Sequence, residues 1–212
     1  MEETKLNFRV KKSEPLMIII SGISGAGKDT VINRLMEKPG CNFHFVVTCN
    51  TRPMREGEKD GVDYHFVSEE RFKKMIEQNE LVEYAHVYDT YKGVPKSELE
   101  KGFAEGKDMI MRLDFQGMHR VKEFEPNALS IFIIPPDNQT WLSRLKKRDS
   151  DKQESTQIRI NTAAEEINHI PEFDYLVVND DIDKAVDEIL MIIHAEHFRT
   201  THRKVELKSD GA

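Results

Sequence analysis

The chain has 212 residues, a formal net charge of −7 at pH 7 and two cysteines. It is 38% hydrophobic and 33% charged, and no apolar run approaches the roughly 20 residues that a membrane-spanning helix needs. The acidic balance disfavours general nucleic-acid binding, which needs a broad positive surface. No secretory or transit segment is visible at the start, which favours the cytoplasm. Cys41 and Cys49 lack metal-ligand spacing, so we expect reduced, structural thiols.

Short apolar runs alternate with helical patterns along most of the chain. This alternation predicts a single α/β domain at 16–200, with a parallel sheet flanked by helices. The predicted core strands are 17–21, 43–47, 108–113, 129–134 and 175–178.

Two stretches interrupt the alternation. Residues 48–94 combine strand-like segments at 62–67 and 81–87 with a helix at 69–78, which predicts an inserted, mixed α/β subdomain. Residues 146–159 include a polar segment without apolar anchors, which is typical of a lid. We assign 16–47, 95–145 and 160–200 to the core and 1–15 and 201–212 to tails, and we expect the polar stretches 1–14 and 200–212 to be frayed.

The most specific motif runs from Gly22 to Thr30 as Gly-Ile-Ser-Gly-Ala-Gly-Lys-Asp-Thr, after an apolar strand and before an amphipathic helix. Its glycines let backbone N–H groups point at an anion, and Lys28 extends to the outer phosphates. The alternative is an ordinary strand-turn-helix connection, but the spacing favours a nucleotide phosphate loop. The predicted ATP-binding residues in it are Gly22, Ser24, Gly25, Ala26, Gly27, Lys28, Asp29 and Thr30.

A second anion site is predicted after the second strand. Arg52 and Arg55 are three residues apart, and Tyr64 follows with a phenol that can donate a further hydrogen bond. Guanidinium forks bind phosphate through two hydrogen bonds at once. The alternative is a solvated basic loop.

The run 45–66 resembles the monophosphate-binding segment of guanylate kinases. The phosphate loop, the segment Leu81-Val82-Glu83-Tyr84-Ala85 and the segment Asp114-Phe115-Gln116-Gly117 follow in that family's order. The resemblance, which spans about 16–198, implies a P-loop nucleoside monophosphate kinase fold. It also implies transfer of the γ-phosphoryl group of ATP to GMP and dGMP, giving ADP and GDP or dGDP, with Mg²⁺ as cofactor.

The resemblance also assigns the GMP site. Arg52, Arg55 and Tyr64 match residues that hold the GMP phosphate, and Thr48, Glu83 and Asp114 match residues that read guanine. Guanine has adjacent N1–H and N2–H donors, which one carboxylate at Glu83 can accept together. Adenine lacks this pair, so the site would discriminate against it. The alternative for Glu83 is a surface carboxylate at a strand edge.

Three positions depart from the common family pattern. Lys92, before Gly93, replaces a phosphate-binding phenol and still supplies a cation, whereas Val94 replaces a base-facing hydroxyl. Asp29 stands where the phosphate loop usually has Ser or Thr for magnesium. A carboxylate is a hard oxygen donor, so we expect Asp29 to bind Mg²⁺, directly or through water. Together these departures resemble guanylate kinases of the plant organellar kind.

A third cluster of basic residues matches the family's lid arginines Arg144, Arg148 and Arg159. With Lys28 and Arg52 they form the predicted catalytic set, because positioned cations supply most of the catalysis in phosphoryl transfer. A solvated helix end is the alternative for this cluster. Asn179 matches a segment near adenine in the family, and a helix cap is its alternative.

Two other functions remain open at this point. One is a related kinase for ribose 1,5-bisphosphate, and the other is an inactive guanylate-kinase-like module that binds proteins. We expect GMP, dGMP and ATP as ligands, no nucleic-acid or membrane partner, and a monomer or small homo-oligomer.

Overall fold

The computed structural model describes residues 7–87, 90–148 and 153–207. Its strands are β1 (Phe8–Val10), β2 (Met17–Gly22), β3 (Phe43–Phe45), β4 (Cys49–Asn50), β5 (His65–Phe66), β6 (Leu81–Val87), β7 (Thr90–Pro95), β8 (Asp108–Arg112), β9 (Leu129–Ile134), β10 (Tyr175–Val178) and β11 (Val205–Leu207). Its α-helices are α1 (Lys28–Met36), α2 (Glu69–Glu77), α3 (Lys96–Glu105), α4 (Phe115–Phe124), α5 (Asn138–Arg148), α6 (Gln153–Asn168) and α7 (Ile182–Glu196). A 3-10 turn covers Ile170–Glu172.

The centre of the molecule is a five-stranded sheet in the order β10-β9-β2-β8-β3, with every neighbouring pair parallel. Its middle strands are continuous apolar runs because both faces are covered by other elements. Ile18, Ile19 and Ile20 of β2 are fully buried. This confirms the predicted α/β class with a parallel sheet flanked by helices.

The core strands lie close to their predicted positions, but two of them end earlier than predicted. The predicted strand 108–113 ends at Arg112. The predicted strand 43–47 ends at Phe45. The Val47 N–H donates to the Glu98 carboxylate (3.3 Å) rather than to a neighbouring strand, so the backbone leaves the sheet there. The chain then enters the second sheet.

That second sheet has the order β5-β4-β7-β6, in which β4 and β5 are parallel and the other pairs antiparallel. Helix α2 begins after Ser68, whose hydroxyl accepts from the Arg71 N–H, and its Phe72 stacks on Tyr91 at 5.3 Å.

The predicted strand 62–67 is wrong in its first half. The Gly61 N–H bonds to the Tyr64 carbonyl (2.8 Å), which makes a turn, and only His65–Phe66 pair as a strand.

The prediction of frayed ends is also wrong for part of the chain. Phe8–Val10 and Val205–Leu207 pair as an antiparallel ribbon, and Lys11 makes an ion pair with Glu206. His197 bridges Ser13, which follows β1, and Asp108 at the start of β8, at 2.9 and 2.8 Å. Alternating apolar residues on both segments favour this pairing. Residues 1–6 and 208–212 lie outside the described residues.

Two composition-based predictions can be compared directly with the structure. Cys41 and Cys49 are both free, as predicted, and burial raises the pKa of the Cys49 thiol to about 12. Across the described ranges, no helix combines the length and apolar character of a membrane span.

Candidate active site

A cavity of about 730 Å³ opens at the carboxyl end of the core sheet, where ligands bind in folds of this type. It is bordered by the turn after β2, by the second sheet, and by residues that follow β8, β9 and β10. The sequence-predicted residues that line it are Gly22, Ser24, Gly25, Gly27, Lys28, Asp29, Thr30, Thr48, Tyr64, Glu83, Lys92, Gly93, Asp114, Arg144 and Asn179.

The turn between β2 and α1 is held in one conformation by its surroundings. A Cβ on Gly22 would lie 2.2 Å from the Ile133 carbonyl oxygen, and Gly27 has φ +88°, so both positions require glycine. The Trp141 indole N–H donates to the Ser24 carbonyl at 2.8 Å. The Asn179 amide donates to the Ala26 carbonyl at 2.8 Å, which fixes the turn from the β10 side. Ala26 itself is buried beneath the cavity.

Lys28 and Asp29 are the first residues of α1. The Lys28 ammonium donates to the carbonyl oxygens of Gly22 and Ile23, the latter at 3.1 Å, so its position is set by the loop that it serves. Asp29 accepts from the Arg112 guanidinium, with Nη1 and Oδ1 2.5 Å apart. Sequence reasoning did not identify Arg112, which also lines the cavity.

The two predicted phosphate arginines are not in the cavity wall. Arg52 makes a two-pronged contact with Glu58, at 2.7 and 2.5 Å, and its guanidinium lies 5.1 Å from the centre of the Tyr64 ring. The Arg52 contact lowers the pKa of Glu58 to about 2. Arg55 is exposed, and its backbone N–H donates to Glu58 at 2.8 Å. Tyr64 alone of the three phosphate residues borders the cavity, and Glu58 was missed because it is one of many acidic residues in a polar loop.

Glu83 on β6 is a buried carboxylate on the cavity wall opposite the phosphate loop, with 5% of its surface exposed. Its Oε2 has no hydrogen-bond partner in the described structure, although Arg120 lies 3.5 Å away. Burial raises the pKa of Glu83 to about 7, with a further upward effect of Asp114 and an opposing effect of Arg120. Thr48 is buried beside the cavity, and Asp114 caps α4 by accepting from the Gly117 N–H at 2.9 Å.

Lys92 and Val94, the two residues on β7 that depart from the common family pattern, have different environments. Lys92 is exposed and lines the cavity, which is compatible with a contact to phosphate. Gly93 lies against the neighbouring strand, where a Cβ would come within 2.8 Å of the Glu83 carbonyl oxygen. Val94 is fully buried in the hydrophobic core and is not among the cavity residues, so an apolar side chain suits its position.

Of the three predicted lid arginines, the structure describes the side chains of Arg144 and Arg159. Arg144 lines the cavity and donates to the Asn179 carbonyl at 3.0 Å, and an Arg159 nitrogen lies 3.5 Å from the Ser24 hydroxyl. The side chain of Arg148 and residues 149–152 lie outside the described part of the chain. At the α7 start, the cap is Asp181, which accepts from the Lys184 N–H at 3.0 Å. The position that matches the adenine segment, Asn179, instead holds the loop after β2.

Glu166 on α6 is, after Arg112, another cavity residue that sequence reasoning did not identify. It lines the cavity, its Oε2 has no hydrogen-bond partner among the described residues, and the Ser24 backbone N–H hydrogen-bonds to it. Burial raises the pKa of Glu166, while the nearby Lys28 opposes this shift. Nothing local distinguishes it from the exposed carboxylates of the same helix.

A phosphate loop at the edge of a parallel sheet, facing a second sheet that carries a buried carboxylate, defines a P-loop kinase for a nucleoside monophosphate. The comparisons with known proteins agree with this class. The family model described as guanylate kinase matches residues 14–196. The chain belongs to the guanylate kinase family.

Individual relatives extend this result. A guanylate kinase from Caldanaerobacter subterraneus subsp. tengcongensis is 42% identical over 193 residues, covering 91% of this chain and 93% of the relative. Guanylate kinase 2, chloroplastic/mitochondrial, from Oryza sativa subsp. japonica is 40% identical over 197 residues, covering 92% and 69%. The crystal structure of guanylate kinase from Anaplasma phagocytophilum has a TM-score of 0.74 and 33% identity, and the match covers 91% of both chains. Bacterial and plant relatives are about equally similar, so the organellar subfamily stays a prediction.

Proposed function

We propose that this chain transfers the γ-phosphoryl group of ATP to GMP and dGMP, giving ADP and GDP or dGDP. The observation that carries this proposal is Glu83, a buried carboxylate in the same cavity as the phosphate loop, whose Oε2 lies 3.5 Å from Arg120 but makes no hydrogen bond. Guanine offers the adjacent N1–H and N2–H donors that such a carboxylate accepts. Ribose 1,5-bisphosphate has no such edge, which disfavours the sugar-phosphate kinase.

On the donor side, the loop from Gly22 to Thr30 binds the ATP phosphates through its backbone N–H groups and the positive end of α1. Lys28 supplies the cation for the outer phosphates. Arg144 and Arg159, which approach the loop from α5 and α6, stabilise charge on the moving phosphoryl group, and Arg148 completes this set. Asn179 fixes the loop on the side assigned to adenine.

On the acceptor side, a phosphate oxygen of GMP is the nucleophile, so no side-chain nucleophile is needed. Tyr64 borders the cavity, and Lys92 adds a cation on the same side. Arg52 and Arg55 bind the GMP phosphate from the loop that contains Glu58. Thr48, Glu83, Gly93 and Asp114 form the guanine pocket. Closure of the lid at 146–159 over both nucleotides excludes water and suppresses ATP hydrolysis.

The residues at the start of α1 fit a magnesium ion. Mg²⁺ keeps several waters and takes one or two carboxylates together with substrate phosphates, so it needs no cage of protein ligands. Asp29 supplies a hard oxygen donor that is 47% exposed beside the phosphate loop. Asp29 would hold Mg²⁺ through water, and the ion would offset charge on the ATP phosphates. An unchanged magnesium requirement in Asp29→Ser would refute this assignment.

We place the enzyme in the cytoplasm as a monomer or small homo-oligomer, without a nucleic-acid or membrane partner. The test of its function is ADP release with a panel of acceptors: GMP, dGMP, AMP, CMP, UMP and ribose 1,5-bisphosphate. We expect GMP and dGMP to be the efficient substrates. Equal activity with AMP would overturn the guanine assignment, preference for the bisphosphate would favour the sugar-phosphate kinase, and inactivity with every acceptor would favour the protein-binding module.

A further inference from the structure

We propose that Arg112 is a further phosphate-binding residue of this site, which contacts the GMP phosphate and is positioned by Asp29. This inference rests on the proposed phosphorylation of GMP. It adds one guanidinium to Arg52 and Arg55, from the core sheet instead of the second sheet.

Arg112 is the last residue of β8, and β8 lies between β2 and β3 in the core sheet. In the register of the two parallel strands it stands opposite Ile20, two residues before the phosphate loop begins at Gly22. Its side chain is 21% exposed and borders the cavity. A cation at the end of a buried strand costs free energy unless charged partners surround it, so its presence there needs an explanation.

The contacts of Arg112 connect the two halves of the site. Its Nη1 lies 2.5 Å from Asp29 Oδ1, on the phosphate-loop side. Its guanidinium carbon lies 5.0 Å from the centre of the Tyr64 ring, on the monophosphate side, and 5.9 Å from that of Phe45. Arg52 contacts the same Tyr64 ring at 5.1 Å. Two guanidinium groups therefore meet at Tyr64, a predicted GMP-phosphate residue that borders the cavity.

A guanidinium has five N–H donors, and within the described residues the one hydrogen bond of Arg112 goes to Asp29. The hydrogen bond to Asp29 and the contact with the Tyr64 ring hold the guanidinium in place and leave N–H donors for a ligand that enters the cavity. The ligand expected there is an anion, because guanidinium forks match phosphate oxygens in charge and geometry. The other explanation is a structural ion pair that only ties β8 to α1.

Titration calorimetry with GMP, in the absence of ATP and Mg²⁺, separates these explanations. We expect Arg112→Met to weaken GMP binding on the order of 10- to 100-fold, which is the effect of one lost charge-assisted contact. The matched control is Arg34→Met, which removes another arginine-aspartate pair of α1, with Asp183 at 2.8 Å, away from the cavity. We expect that control to bind GMP within about twofold of the unmodified chain.

Removal of one partner of this half-buried ion pair can lower stability, so the double variant Asp29→Asn with Arg112→Met is included. It removes both charges of the pair, so neither is left without its partner. We therefore expect the double variant to show weakened GMP binding because the guanidinium is gone. The single variant Asp29→Asn should weaken GMP binding about 3- to 10-fold by releasing Arg112, and unchanged or tighter binding would contradict the positioning role of Asp29.

The outcomes also separate this inference from the proposed function. If the unmodified chain binds and phosphorylates GMP while the folded Arg112 variants match the Arg34→Met control, the assignment of Arg112 is wrong and the function stands. If the unmodified chain neither binds nor phosphorylates GMP, the proposed function itself is wrong. If the folded Arg112 variants bind GMP more weakly than the Arg34→Met control, the result supports the assignment of Arg112 and the proposed function together.

Discussion

The two walls of the cavity satisfy their polar groups in different ways. On the phosphate-loop side, Trp141 and Asn179 hold the loop carbonyls, and Lys28 donates to the loop that it serves. On the monophosphate side, one oxygen of the Glu83 carboxylate lies 3.5 Å from Arg120 but makes no hydrogen bond, and Arg52 is occupied by Glu58. The loop conformation on the first wall is set without a ligand, although Glu166 there also has an oxygen that makes no hydrogen bond. On the second wall, Glu83 keeps an oxygen to which a ligand can donate.

This difference assigns a separate role to each wall. A preformed loop supplies oriented donors that cost no reorganisation during the reaction, which is how such sites stabilise transferred phosphoryl groups. A desolvated carboxylate gains most from the one base that supplies both donors, so it contributes to selectivity. Variants on the two walls should therefore alter different kinetic and thermodynamic quantities.

Lys28→Met tests the donor wall. We expect kcat to fall on the order of 100- to 1,000-fold, because a positioned cation is lost from the transferred group. The dissociation constant for GMP should stay within about twofold of the original, since Lys28 belongs to the other wall. A coupled ADP-release assay and calorimetry measure the two values. Lys38→Met, which removes an ion pair with Asp187 outside the cavity, is the control, and a large loss of GMP affinity in Lys28→Met would break the proposed division.

Glu83→Gln tests how much free energy of unfolding the chain loses by burying the Glu83 carboxylate. Its pKa of about 7 in the folded chain lies above the ordinary value of 4.5, so the folded state binds this proton more tightly than the unfolded chain. Stability therefore decreases as pH rises from about 4.5 to 7, and the full cost is present above that range. We expect Glu83→Gln to raise the free energy of unfolding at pH 8 by up to about 3 kcal/mol, with little effect at pH 4.

Denaturant titrations at the two pH values measure this difference. Glu80→Gln is the control, because Glu80 pairs with Arg71 on the surface of the second sheet. A Glu83→Gln variant less stable than the original chain at pH 8 would mean that Arg120 compensates the buried charge fully, and the difference between the walls would then disappear.

The raised pKa of Glu83 also predicts how kcat/KM for GMP depends on pH. The carboxylate accepts both guanine donors only when it is ionised, so protonation below about pH 7 removes the contact. We expect kcat/KM for GMP to fall by up to about tenfold per pH unit as pH decreases below 7. The profile of Glu83→Gln should lack this limb, and an unchanged limb in that variant would assign the titration to another group.

Glu58→Gln should have the mildest consequence. Glu58 orients the Arg52 guanidinium through two hydrogen bonds, and its low pKa keeps it ionised throughout the working pH range. Loss of this orientation should raise KM for GMP about 3- to 10-fold with little change in kcat. The neighbouring exposed Glu56→Gln is the control. A lower KM would instead mean that Glu58 competes with phosphate for Arg52.

The elements that the sequence predicted well depend on local patterns. The apolar run of β2, the glycines after it and Lys28 occupy consecutive positions, and their geometry follows from backbone preferences. The parallel sheet follows from the same alternation of strands and helices. Family resemblance then identified Glu83 and Thr48, which lie in the cavity as buried residues.

What the sequence did not predict depends on contacts between distant segments. Arg112 and Asp29 are 83 residues apart, and nothing near either residue indicates the other. The terminal ribbon has the same cause, because each strand is only three residues long and its partner lies at the other end of the described chain. Arg52 has its partner only six residues away, but several acidic residues in that loop were equally plausible.

Comparison of GMP with inosine monophosphate tests the central role of Glu83 most directly. The inosine base keeps N1–H but lacks the N2 amine, so it supplies one of the two donors. We predict that the original chain prefers GMP in kcat/KM by on the order of 100-fold, and that Glu83→Gln largely removes this preference. Equal efficiency with both nucleotides in the original chain would contradict the account.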